Sequence, residues 1–135
     1  MSAAHDLQAA IVAALKADAG LVALLGDAER VLDRVPPERD FPFVALGRTS
    51  VRDWSTDDRA GGEHLVTLRC WSRATSRAEV LAIAERMTAA LAALEGVTGD
   101  TRIVSFEPVT SDHGYEPGDR AWRATLRFRA LTEPA

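Results

Sequence analysis

The stretch RAWRATLRFRAL, Arg120 to Leu131, decides the fold class. Trp122, Ala124, Leu126, Phe128 and Ala130 alternate with Arg123, Thr125, Arg127, Arg129 and Leu131. A period of two is that of an extended chain, whose successive side chains point to opposite faces of a sheet. One face of this strand is apolar and needs a core. The other carries three arginines, which need either solvent or a partner of opposite charge.

Working back from it, TSDHGYEPGD (110–119) is rich in turn residues and reads as a polar loop. TRIVSFEPV before it is a strand, with Pro108 marking an edge or a bulge. No crossover helix separates these last two strands, so the pair is antiparallel. TSRAEVLAIAERMTAALAALEG is a helix. Ser76 and Glu79 have capping-box spacing, Val80, Ile83, Ala84, Met87, Leu91 and Leu94 form an apolar stripe, and Gly96 is the stop.

HLVTLRCWSR is a strand with Val66, Leu68 and Cys70 on one side and Leu65, Thr67, Arg69 and Trp71 on the other. STDDRAGGE, with Asp57 and Asp58, reads as a mobile loop. FPFVALGRTSVRDW is a long strand in which Phe41 and Phe43 anchor the start and Gly47 permits a bulge. ERVLDRV is a short strand ended by Pro36 and Pro37. The N-terminal segment is a helix over about 4–17, a break at Gly20 and a short helical turn ending at Gly26. The expectation is therefore an α+β fold in a single domain, 1–135. It is one mixed, mainly antiparallel β-sheet with two main α-helices packed on one face.

Composition narrows the function classes. At 135 residues the chain can build a core without metals or disulfides. A lone cysteine, Cys70, excludes an internal disulfide and a multi-cysteine zinc site. The apolar N-terminal stretch is interrupted by Asp6, Gln8 and Lys16, and no run reaches the ~18–20 apolar residues of a membrane span, so a soluble chain without a signal peptide is expected. A net charge of −4 argues against bulk attraction to nucleic acid.

His5, His64 and His113 form no ligand pair, no glycine pattern cradles a phosphate, and nothing brings the carboxylates together. No catalytic residue, cofactor or metal is expected. What stands out is arginine, since every basic residue but Lys16 is one. Arg123, Arg127 and Arg129 on one side of one strand repel each other unless something offsets them. A solvated face, acidic groups on a neighbouring subunit and nearby nucleic acid are the open readings. Trp54 and Trp71 flank the Gly-rich loop, either packed in the core or at an interface, where tryptophan is enriched. The candidate interface residues are Arg52, Asp53, Trp54, Asp57, Asp58, Arg69, Trp71, Arg123, Arg127 and Arg129.

The order and spacing of LQAAIVAALKADAGLVALLGD, RVLDRVPPERDFPFVALG, the DW before the loop, HLVTLRCWSR and RATLRFRALTE resemble the tail-terminator (tail-completion, head–tail joining) proteins of long-tailed phages and gene transfer agents. The resemblance covers nearly the whole chain, and FPFVALG and LRCWSR are its most specific parts. It implies a structural protein, not an enzyme, made in the bacterial cytoplasm and placed at the head–tail junction of a virion or phage-like particle. Its implied partners are further copies of itself in a homohexameric ring, the major tail tube protein and the head–tail connector. DNA would pass through the ring's lumen without sequence recognition, and no membrane is involved. Another neck or connector ring protein, or a small α+β ligand-binding domain, are the rival readings.

Overall fold

Ser2 opens the first helix, its Oγ accepting the His5 N–H at 3.1 Å. A computed structural model describes residues 2–135, beginning with α1 (Ala3–Ala17) and α2 (Ala19–Leu25). The break between these helices lies at Asp18 and not at Gly20. The Asp18 carboxylate caps α2 by accepting the Leu21 N–H at 2.9 Å. Gly20 lies inside α2, where a Cβ would come within 2.9 Å of Arg86 Cδ. Gly26, at φ 90°, ends α2 in the left-handed conformation that glycine adopts without steric cost.

After a single 3-10 turn come β1 (Val31–Leu32), β2 (Phe43–Asp53), β3 (Gly62–Ser72), α3 (Ala78–Ala90), β4 (Gly96–Thr98), β5 (Thr101–Glu116) and β6 (Ala121–Pro134). The six strands form one sheet in the order β1-β2-β3-β6-β5-β4. Only β1 and β2 run parallel, so the sheet is mixed and mainly antiparallel and the fold is α+β. Three helices accompany it, α2 being short.

Two expectations are corrected on α3. The Ser76–Glu79 capping box does not form: the Glu79 carboxylate accepts from Ser72 Oγ at 2.7 Å, tying the helix to the end of β3. The helix also ends at Ala90, and Gly96, at φ 130°, opens β4 instead. A third correction is larger. Residues 110–116, expected as part of a loop, are strand: β5 continues to Glu116 and pairs with β6 down to Glu116↔Ala121, leaving a tight turn at 117–120. Turn-type residues are tolerated there because each has a β6 partner. Pro108 sits where β5 slips register, one of the places in a sheet that tolerates a residue without an N–H.

The alternation of β6 sorts the molecule. Ala124, Leu126, Phe128 and Ala130 join Val66, Leu68 and Cys70 of β3 and Val44 of β2. They share a core with Leu7, Ile11 and Leu15 of α1, Leu21 and Leu25 of α2, and Val80, Ile83 and Met87 of α3. A second, smaller cluster lies on the opposite parity: Phe43, Ala45, Trp71 and Ala121. Phe43 and Trp71 are cross-strand partners with rings stacked 4.6 Å apart. Such pairs are worth about 0.5–1.5 kcal/mol beyond the area they bury.

Candidate interaction surface

Chemistry first has to find a place, and the obvious candidates are occupied structurally. Cys70 is buried, and desolvation pushes its thiol up to about 12, which removes it as a nucleophile. His64 is buried beside Thr132 Oγ1 at 2.9 Å, and burial lowers its pKa, favouring the neutral ring. No group of three His, Cys, Asp or Glu side chains among the described residues could hold a metal. A polar cavity of about 590 Å³ near the start of β2 is lined by Arg30 and Arg39 among others. Arg30 already donates to the Leu25 and Phe41 carbonyls and Arg39 to Asp119, so these groups brace the chain.

The open face of the sheet is built from the other parity of β2, β3, β5 and β6. Across β6, Arg123, Thr125, Arg127 and Arg129 are registered with Trp71, Arg69, Thr67 and Leu65 of β3 on one side. On the other side they face Gly114, Asp112, Thr110 and Glu107 of β5. The three arginines do not stand unopposed. Arg123 pairs with Glu116 at 3.2 Å, Arg127 with Asp112 at 3.4 Å, and Arg129 with Glu63. Arg52 reaches the same Glu63 carboxylate from β2. Bonds from Arg129 first, then Arg52, hold the Glu63 carboxyl below its ordinary range. The charge that offsets the arginine row thus comes from within the chain.

Sequence reasoning missed these acids. Turn-type composition puts Glu63 at the end of one loop, and Asp112 and Glu116 inside another. Extending the β3 alternation two residues back from Leu65 would have placed Glu63 on the arginine side.

The remaining site residues separate. Trp71 is buried, its indole N–H donating to Asp119 Oδ2 at 3.1 Å, so it has almost no surface to offer a partner. That bond pins the β5–β6 turn, and Arg73 adds a bond to the Asp119 carbonyl while its guanidinium lies 3.9 Å from the Phe41 ring centre. Arg69 extends across Gly47, where a Cβ would meet its Nη1 at 2.9 Å, and it makes no ion pair among the described residues. Gly47 lies where β2 slips register, the bulge its sequence position suggested.

Asp53, Trp54, Asp57 and Asp58 belong to the β2–β3 hairpin tip and are exposed. That tip is closed by its own hydrogen bonds and an ion pair to β6. Thr56 and Arg59 exchange backbone hydrogen bonds, the Trp54 N–H donates to the Gly61 carbonyl, and Arg59 pairs with Glu133 at 2.7 Å.

The features that stand out among the described residues are a charged sheet face and a projecting hairpin. Residues 9–133 match the family model described as "Tail completion protein gp17".

The chain belongs to this family.

Membership gives it a tail-associated structural role. A search of curated proteins finds no match. Among solved structures, a chain from the "Virion of native gene transfer agent (GTA) particle" superposes with a TM-score of 0.87 at 32% sequence identity, over 98% of each chain.

Proposed function

We propose that this tail completion protein forms a ring that caps the finished tail tube, stops its polymerisation and joins the tail to the head connector. The observation that carries the reading is the near end-to-end likeness to a chain of a gene transfer agent virion, on top of family membership. A tube grows because each ring offers the next a matching face. A terminator must match the tube on one side and lack that match on the other. A rigid sheet with an exposed hairpin suits the task, since a preformed surface docks without an ordering cost.

In this reading the protein resides in the particle at the head–tail junction, several copies surround a lumen through which DNA passes, and the tube protein and connector are its neighbours. The hairpin tip at Asp57 and Asp58 is the docking element. Imaging purified particles with density traced for this chain tests the placement: a ring at the junction supports it, and density elsewhere overturns it. Reversing both tip charges, Asp57→Arg with Asp58→Arg, is expected to leave a folded protein and particles in which heads and tails stay separate. Normal joining in that variant removes the tip from the contact.

A further inference from the structure

The sheet leaves two edges uncovered, and they are opposite in charge. β1 pairs only with Val44 and Ala45, so β2 beyond them is a free edge. β4 reaches only Ile103, so β5 beyond it is free as well. The β2 edge carries Arg48 and Arg52 against Asp53, whereas the β5 edge carries Glu107, Asp112 and Glu116 and no basic side chain apart from His113. Arg52, Asp112 and Glu116 are engaged within the chain. Arg48 and Glu107 are both exposed and make no ion pair among the described residues.

Their levels on the sheet match. Glu107 is registered with Arg129, Arg129 with Leu65, and Leu65 with Ser50, two residues from Arg48. An offset of two residues is about 7 Å along a strand, within the reach of an arginine. Half of the exposed large hydrophobic side chains among the described residues also lie on or at the end of these edges: Val51 and Trp54 on one, Val104, Val109 and Tyr115 on the other.

We propose that copies of this chain meet edge to edge, the β2 edge of one against the β5 edge of the next, with Arg48 facing Glu107 and the exposed valines beside them. The proposal rests on the ring reading above and supplies its subunit contact. Two different edges make a heterologous contact, which generates a ring when the rotation closes. The edges do not merge into one continuous ladder. Register slips between Leu46 and Thr49, between Ile103 and Ser105, and between Pro108 and Thr110 interrupt both edges, and Pro108 has no N–H to donate. Bulges and proline are devices that block strand addition. Recognition is thus left to side chains, which sets a specific partner and discourages open-ended sheet growth.

The test compares purified particles carrying Arg48→Glu, Glu107→Arg, or both, with melting temperatures confirming that each chain is folded. Each single reversal places like charges together at every contact and is expected to lower incorporation of the chain about tenfold. The double reversal restores opposite charges at every contact and returns incorporation to within about twofold of the unmodified chain. The two residues lie on opposite edges of the chain, so rescue reports a contact between copies. A second variant, Thr49→Cys with Val109→Cys, whose positions lie within one residue of the same level, is oxidised in particles and run on a non-reducing gel. A ladder of linked copies is expected from the double variant and single bands from each cysteine alone, Cys70 being buried. Particles with several copies of the chain but indifferent to both single reversals, or a double variant no better than the singles, overturn the edge contact and leave the ring reading standing. One copy per particle overturns both.

Discussion

The two faces of the sheet hold the molecule by different physics. The covered face meets three helices through fully buried Leu, Ile, Val, Phe and Met side chains. The open face carries arginines answered by carboxylates across neighbouring strands, most of them partly solvated. Burying one large aliphatic or aromatic side chain contributes about 1.5–3 kcal/mol, while an exposed ion pair contributes about 0–1. Stability is therefore concentrated on one face. The other is free to be shaped by contacts, which is what an assembly component requires.

Four experiments can break or sharpen that contrast. Phe128→Ala, which opens a cavity between β6 and the helices, is expected to cost about 3–5 kcal/mol in chemical denaturation. Loss of less than 1 kcal/mol would mean the covered face is not the main core. Trp71→Ala on the small second cluster is expected at the lower end of that range, about 3 kcal/mol, and should loosen the 117–120 turn because the Asp119 bond goes with it. Hydrogen exchange at that turn reads the loosening, and unchanged protection would detach the cluster from the turn.

Glu63→Gln leaves Arg52 and Arg129 without their shared carboxylate. The folded-state pKa of Glu63 is depressed below 4.5, so its contribution is present above that pH and lost as pH falls through the depressed value. The variant should melt lower than the native chain at pH 7, and the gap should close under acid. A gap that persists at pH 2 would assign the effect to shape and not charge. Smallest of all, a double-mutant cycle on Arg127→Gln and Asp112→Asn, an exposed pair, is expected to give no more than about 0.5 kcal/mol of coupling. A larger value would make the open face a structural network in its own right.

Much of this was legible along the chain. The alternation of β6 and β3, the stripe of α3 and the bulge at Gly47 all follow from local patterns, because a buried face must repeat with the period of its backbone. The loop reading of 110–119 failed because Gly, Ser, Asp and Pro mark turns only when no neighbouring strand satisfies their backbone. Here β6 does so almost to the tip. The capping box failed similarly: spacing put Glu79 near Ser76, and a stronger partner, Ser72, took it. Trp71 could be assigned to a face by parity but not to a depth, since its cover comes from Phe43 on a neighbouring strand and Asp119 from a distant turn.

The sequence by itself determined the fold class, the apolar and charged sides of each long strand, the absence of any catalytic pattern and the resemblance to tail completion proteins. All of these are carried by periodicity, composition and order, which survive being read in one dimension. Only the tertiary structure decided that the arginine row is answered from inside the chain, that the Gly-rich loop is a hydrogen-bonded hairpin tip tied to Glu133, and which edges remain uncovered. These depend on strand order and register. A shift of one residue between strands would exchange every partner without altering a single letter of the pattern.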